Sequence, residues 1–288
     1  MTQAAKELYV SQPTVSVQLR ELSSTLGEPL FEPLGRKIRL TQEGELLYKT
    51  VKELSACWQR LESNLAELKG LISGRLRIAA VITAEYFVPE LIGPFTLAHP
   101  GVELELVIEN RDRIVERLSK GVDDLTVMMM PPKDLELHRL SFLPNPLVIV
   151  AAKQHPFAGK SLQLSDLADQ RWLMREPGSG TRMAAEKYFQ QLDFQPNIAM
   201  SLGSNEAIKH AVAAGLGIGV ISNVAIQSAM TQQAESFASQ NLTILTVEQF
   251  PLVRHWSIVW RKDLPLSAAA RCFVDYVKES KILFDNSS

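Results

Sequence analysis

The stretch Ser11-Gln12-Pro13-Thr14-Val15-Ser16-Val17-Gln18-Leu19-Arg20-Glu21-Leu22 organises the reading of the whole chain. Ser11 is suited to cap a helix, and Pro13 falls in its first turn, where a missing N–H costs nothing. Val15, Leu19 and Leu22 recur at helical spacing and give an inner face. Gln12, Thr14, Ser16, Gln18 and Arg20 point elsewhere. Side chains of this kind read base edges and phosphates in a major groove. An ordinary amphipathic surface helix shows the same pattern, so the neighbouring segments must decide.

Those segments build a reading head. Thr2 to Leu8 predicts a first short helix, Tyr9-Val10 a tight turn, and the pair a helix-turn-helix. Gly27, after Leu26, stops the second helix, and Pro29, Leu30 and Phe31 read as a core plug. In Gly35-Arg36-Lys37-Ile38-Arg39-Leu40-Thr41 the alternation separates Ile38 and Leu40 from Lys37 and Arg39. This predicts a β-wing whose Arg36, Lys37 and Arg39 reach the DNA backbone, where contacts fix position without reading sequence. A solvated charged hairpin is the alternative.

Thr41 can cap a long helix that starts near Gln42. Its apolar positions, Leu47, Val51, Leu54, Trp58, Leu61, Leu65, Leu68 and Ile72, are spaced 4, 3, 4, 3, 4, 3 and 4 residues apart. That is a coiled-coil seam, which predicts pairing with a second copy of the same helix and two reading heads on one duplex. Packing onto the chain's own globular part is the alternative.

Composition fits a soluble globular protein: 288 residues with a net charge of −2 allow two or three domains. The first 74 residues hold nine Lys/Arg and nine Asp/Glu, so any basic footprint is local. Cys57 and Cys272 form no disulfide or metal pattern, and no leader or membrane-length apolar run is present, which predicts a cytoplasmic protein.

From Arg75 onward, short apolar strands alternate with helices, the texture of an α/β domain. Strands are expected at Leu76–Val81, Val102–Ile108, Leu125–Met130, Leu147–Ala152, Ile198–Leu202, Ile218–Ile221, Leu242–Val247 and Trp256–Trp260. Helices are expected at Tyr86–Ala98, Arg113–Lys120, Thr181–Leu192, Asn205–Ala214 and Ser267–Glu279. So many units predict two lobes around a crevice, the chain entering the second near Ala151 and returning near residue 255.

The loop Arg175-Glu176-Pro177-Gly178-Ser179-Gly180-Thr181-Arg182 carries the chemistry. Gly178 and Gly180 free the backbone, Ser179 and Thr181 open a helix, and the N–H groups with the helix dipole attract an anion. Arg175 and Arg182 add bidentate cations. A capped glycine turn is the plain alternative, and no Gly-Lys-Ser/Thr follows to make a P-loop. Thr83-Ala84-Glu85, Asn110-Arg111 and Ser204-Asn205-Glu206 also follow strands and open helices. Loops at the carboxyl ends of strands collect ligands in α/β sheets, so the set predicts a small anionic effector. Gly215-Leu216-Gly217 follows a helix instead of preceding one and reads as tight packing. The five histidines lie in no metal spacing and no nucleophile has a base beside it, so neither metal nor enzyme is expected.

Ala4-Ala5, Leu8, Ser11 to Ser16, Leu26-Gly27, Leu30-Phe31-Glu32 and Leu40-Thr41 with Gly44 resemble the winged helix-turn-helix of LysR-type transcriptional regulators. The resemblance implies an α/β protein in three parts: a winged head at 1–41, a dimerising linker helix at 42–73, and a two-lobed effector domain of periplasmic-binding-protein type at 74–288. Lobe I is expected at about 75–150 and 255–288, lobe II at about 151–254. Thr83 to Pro89, Arg175 to Arg182 and Gly203 to Lys209 resemble the CbbR-type regulators of Calvin-cycle genes. They imply promoter DNA and a homodimer or homotetramer as partners, with a phosphorylated metabolite or NADPH as co-inducer; the anion-friendly loops would suit a dicarboxylate equally. Val17 stands where many members carry a basic residue, and Pro33 interrupts the usual Phe-Glu-Arg run. Family members also have a helix ahead of the segment that begins here at Met1, which predicts a truncated head and weak DNA binding until upstream residues are restored. A solute-binding protein of the same two-lobed fold, without DNA binding, is the rival reading.

Overall fold

In the computed structural model, residues 2–35, 37–67, 72–231 and 240–285 are described. The chain divides into a small unit, Met1–Glu62, and a large one, Ser63–Ser288.

In the small unit, α1 (Thr2–Glu7) and α2 (Gln12–Leu26) form the helix-turn-helix. The Ser11 hydroxyl accepts from the Thr14 amide at 3.3 Å, and α2 ends on Gly27 at φ 74°, a left-handed cap. Strands β1 (Phe31–Leu34) and β2 (Lys37–Leu40) pair as the wing, Phe31 opposite Leu40. Thr41 then donates to the Pro29 carbonyl at 2.6 Å and accepts from the Gly44 amide at 3.0 Å, so one hydroxyl ties the wing to the start of α3 (Gln42–Glu67). A Cβ on Gly44 would lie 2.1 Å from the Leu30 carbonyl oxygen, so only glycine lets α3 sit on the buried Leu30. Among the described residues the small unit's buried apolar set is short: Ala5, Val15 and Leu30. Leu22, expected on the inner face of α2, is exposed, as are Leu8, Tyr9, Val10, Val17 and Leu26.

Along α3 the heptad positions Val51, Leu54, Trp58, Leu61 and Leu65 are exposed and Leu47 is half-buried. The described part of the helix runs to Glu67, and residues 68–71, with Leu68 of the expected seam, lie outside the described residues. Ile72 is not on this face: it follows the helix and packs against the core of the large unit.

The large unit is built on one nine-stranded sheet. Lobe I contributes β3 (Gly74–Val81), β4 (Val102–Glu109) and β5 (Leu125–Met128), with β3 central and both neighbours parallel to it. Lobe II contributes β8 (Arg171–Arg175), β9 (Asn197–Leu202) and β10 (Ile218–Ser222), also mutually parallel, with β8 central. Two long strands join them: β6 (Leu137–Ala152) pairs antiparallel with β13 (Leu252–Arg261) from Leu137↔Arg261 to Leu147↔Leu252. β13 bonds β5 at Ser257–Val259, whereas β6 bonds β10 at Leu147–Val150. The chain therefore changes lobe between Ser141 and Leu147, earlier than the expected Ala151. Pro144 and Pro146 hid this part of the strand. They stand two apart, so their nitrogens share one side of it, and they pair with His255 and Val253 of β13. The expected Leu242–Val247 strand is two, β11 (Leu242–Ile244) on β6 and β12 (Thr246–Val247) on β7 (Ser161–Leu162).

Helices α4 (Val88–Ala98) and α5 (Arg111–Ser119) belong to lobe I, and α6 (Gly180–Gln191), α7 (Asn205–Ala213) and α8 (Val224–Thr231) to lobe II. The final helix, α9 (Ala268–Asp285), buries Ala268, Ala269, Ala270 and Phe273, and Phe273 meets Phe95 of α4 edge-on at 5.0 Å. Gly217 lies at φ 158°, and a Cβ there would stand 2.2 Å from the Arg171 carbonyl oxygen, a packing role for that glycine. Among the described residues no helix is long and apolar enough to cross a membrane, and no cluster of His, Cys, Asp or Glu could hold a metal ion.

Candidate functional site

The carboxyl ends of the parallel strands in both lobes meet at one cleft, with about 350 Å³ of open space including its mouth. Lobe I supplies Val81, Ile82 and Thr83 after β3, Asn110 and Arg111 after β4, and Met129 after β5. Lobe II supplies Arg175, Glu176, Ser179, Gly180 and Thr181, and the crossing strand β13 supplies Trp256.

Two helices open onto this space. Asn110 caps α5, its Oδ1 accepting from the Arg113 amide at 3.0 Å, and Ser179 caps α6, its hydroxyl accepting from the Arg182 amide at 3.1 Å. Each first turn leaves amides without intrahelical acceptors and the positive end of a dipole at the cleft. Sequence capping logic found these turns because short polar side chains stood immediately before helical runs.

Arg175 is the most heavily bonded side chain here and is only 3% exposed. Its Nε and one terminal nitrogen donate to both oxygens of Glu176 at 2.7 and 2.9 Å, a bidentate pair. The other terminal nitrogen donates to Thr83 Oγ1 and Asn205 Oδ1, both at 3.1 Å. Asn205 Nδ2 also donates to Thr83 Oγ1 at 3.1 Å. Thr83 of lobe I thus accepts from two side chains of lobe II. Arg111 is held differently: one terminal nitrogen donates to the Met130 carbonyl at 2.8 Å, and its Nε, also buried, has no partner among the described residues. Burial lowers the Arg111 pKa below the usual guanidinium value, against the pull of Asp112 and Asp134.

Other expected residues stand outside the lining. Arg182 is one of them: its side chain bonds Glu186 at 2.6 Å, the Arg175 carbonyl at 3.0 Å and Ser201 at 2.7 Å. The turn of α6 carries it toward the β9 edge. Ser204 caps α7 through the Ala207 amide, Ala84 is fully buried, and Gly178, at φ 87°, approaches Asp112 of lobe I so closely that a Cβ would lie 3.2 Å from it. Glu206 accepts from Tyr86 of lobe I at 2.7 Å and from the buried Lys209 at 2.6 Å. Burial pushes the Glu206 carboxyl up, and hydrogen bonds from Lys209 and Tyr86 outweigh that and leave it below the usual range. Glu85 is held above the usual range by partial desolvation of its carboxyl and by the nearby Glu206 charge. Tyr86 is raised far above the ordinary phenol range by burial and by its bond to Glu206. Sequence reading missed Val81, Ile82, Met129, Glu176 and Trp256 as lining residues.

In the head, Ser11, Gln12, Thr14, Gln18 and Arg20 are exposed and Ser16 is half-buried. Gln12 Nε2 donates to Ser16 Oγ at 3.1 Å. On the wing, Arg39 donates to Glu32 at 2.7 Å, an exposed cross-strand pair worth about 0–1 kcal/mol. Arg36 lies outside the described residues, as does the Lys37 side chain.

Residues 1–45 match the bacterial regulatory helix-turn-helix protein of the lysR family, and residues 69–281 match the LysR substrate binding domain. The chain belongs to the LysR-type transcriptional regulators. A free-standing solute-binding protein would account for only the second match. Within the family, the chain is 42% identical to the HTH-type transcriptional activator CmpR of Synechocystis, over 96% of this chain and 89% of that one. It is 40% identical to the RuBisCO operon transcriptional regulator of Acidithiobacillus ferrooxidans, over 95% of this chain and 87% of that one. A solved structure of the Synechocystis CcmR regulatory domain in complex with 2-PG is similar at 38% identity and a TM-score of 0.66, covering 72% of this chain and 97% of that one. As a LysR-type regulator of the CmpR and CbbR kind, the chain pairs a DNA-binding head with a two-lobed effector domain.

Proposed function

We propose that this regulator controls carbon-fixation genes in response to a small phosphorylated carboxylate held in the cleft, with 2-phosphoglycolate the leading candidate. The observation that carries the reading is the convergence of two capped helix N-termini, Asn110 on α5 and Ser179 on α6, with Arg111 and Arg175 at one cleft. Anions bind such ends readily. The similarity to a CcmR domain bound to 2-PG supports the same ligand class here. We read the chain as non-catalytic, since the relatives it resembles along most of its length are transcriptional regulators.

The exposed face of α2, through Ser11, Gln12, Thr14, Ser16, Gln18 and Arg20, reads bases in this proposal, and the wing with Arg36, Lys37 and Arg39 holds phosphates. The exposed seam from Leu47 to Leu65 pairs two chains into a homodimer that can extend to a tetramer. Differential affinity of the ligand for two lobe arrangements then shifts the population that engages the promoter.

The test is fluorescence anisotropy of the full chain on the promoter of its neighbouring carbon-fixation genes, across a salt series, with and without 2-phosphoglycolate. Expected are a steep fall in affinity with salt and a ligand-dependent change in apparent affinity or DNA bend. No promoter preference over random duplex at any salt, with or without ligand, would overturn the proposal.

A further inference from the structure

Two residues that line the cleft carry buried hydrogen-bond donors with no acceptor among the described residues. Trp256 lines it at the β-bulge between Trp256 and Ser257 and is 1% exposed. Its indole Nε1–H is buried and has no acceptor among the described residues. The ring is fixed by Phe87, with centroids 5.0 Å apart. Arg111 is the second: the Met130 carbonyl fixes its guanidinium, while Nε–H has no acceptor among the described residues. The other buried side-chain atom without a partner among the described residues, Thr126 Oγ1, is not part of the lining. A buried donor without an acceptor is costly, and native chains keep few of them. Two on one cleft, one of them cationic, mark a place for an oxygen acceptor carrying negative charge.

The lobe II wall already offers a separate anion site. Ser179, Gly180 and Thr181 open α6, and Arg175 lies beside them. A phosphate, with three terminal oxygens, matches that set of amides and hydroxyls beside the Arg175 charge. A carboxylate, with two oxygens, matches two N–H donors. Resting on the assignment of a phosphorylated carboxylate to this cleft, we infer that the ligand is gripped by both ends: its phosphate on the α6 N-terminus of lobe II, its carboxylate on Arg111 Nε and Trp256 Nε1. Arg111 and Trp256 then determine specificity. They separate a phosphorylated acid from a phosphate ester that lacks the acid group. A ligand held at both ends also links lobe II to the lobe I side of the cleft, which a one-ended anion does not.

The test is calorimetric titration of the full-length protein with 2-phosphoglycolate and with ethyl phosphate, in which a methyl group replaces the carboxylate. Wild type, Trp256→Phe and Arg111→Lys are compared, with melting curves to verify folding. The wild type is expected to prefer 2-phosphoglycolate by roughly a hundredfold, the worth of two charge-assisted hydrogen bonds. Trp256→Phe, which removes the N–H and keeps most of the ring, is expected to weaken 2-phosphoglycolate about tenfold and to leave ethyl phosphate within about twofold. Arg111→Lys, which keeps the charge and removes the guanidinium donors, is expected to give the same pattern and serves alone if Trp256→Phe does not fold. Equal losses for both ligands, or no loss for either, would overturn the two-ended grip. Binding of 2-phosphoglycolate and ethyl phosphate with equal affinity to the wild type would overturn it while leaving the cleft assignment standing. A wild type that binds neither ligand overturns the cleft assignment, and the two-ended grip with it.

Discussion

The two walls of the cleft are built on opposite plans. On the lobe II side, Arg175 has acceptors on all three guanidinium nitrogens, from Glu176, Thr83, Asn205 and the Gly203 carbonyl. On the lobe I side, Arg111 and Trp256 keep donors that no described residue accepts. One wall is organised before any ligand arrives, and the other leaves bonds for the ligand to complete. A fixed, charged wall sets position and affinity, and an incomplete wall sets selectivity, because a wrong ligand leaves its donors buried and unpaired.

The largest effect that would break this contrast is expected from Arg175→Ala. It removes the cation and its links to Thr83 and Asn205, and should weaken 2-phosphoglycolate about a hundredfold in calorimetry. A loss below threefold would mean the lobe II wall does not carry affinity. Next is Thr83→Val, which deletes the acceptor shared by Arg175 and Asn205. Chemical denaturation should show the large unit destabilised by about 1–3 kcal/mol, since two buried donors lose their partner. Unchanged stability would show that the lobes do not depend on this junction.

Much of the lobe II wall was legible in sequence. Ser179 and the two glycines announced a capped helix and a close-approaching loop through residue type alone. Arg175 and Arg182 flank that loop symmetrically, however, and sequence could not tell them apart. Their fates depend on where α6 turns and on Ser201 of the neighbouring strand, a contact that no local pattern encodes. The lobe I side was half legible. Asn110 and Arg111 follow a recognisable strand, but Met129 and Trp256 reach the cleft only because β5 ends beside it and β13 crosses it at its bulge. The lobe crossing in β6 was hidden by Pro144 and Pro146, which imitate a loop in sequence and sit in register in the sheet. In the head the cap, wing and Gly44 were readable, whereas the exposure of Leu22 was not.

Smaller effects sharpen the contrast. Glu176→Gln weakens the internal partner of Arg175 and should raise affinity for an anionic ligand a few-fold, as expected when a competing half-buried charge is removed from beside a cation. A drop in affinity would instead make Glu176 part of the ligand's own contacts. The smallest effect concerns pH. Glu206, whose carboxyl lies below its ordinary value of 4.5 in the folded chain, contributes stability above pH 4.5, and that contribution is lost as pH falls through the lowered value. Melting curves between pH 3 and 7 should therefore show wild type exceeding Glu206→Gln above pH 4.5, the two converging below it. Parallel curves would remove Glu206 from the Tyr86–Lys209 link.

The most direct measurement of the central claim is a thermal-shift titration of the full-length protein with 2-phosphoglycolate, run beside Arg175→Ala. A ligand that binds only the folded cleft at 100 times its dissociation constant adds about 2.7 kcal/mol, enough for a clear rise in melting temperature. The wild type is expected to show that rise and Arg175→Ala to lose it. Equal rises in both proteins, or none in the wild type at millimolar ligand, would contradict a phosphorylated acid held between the lobes.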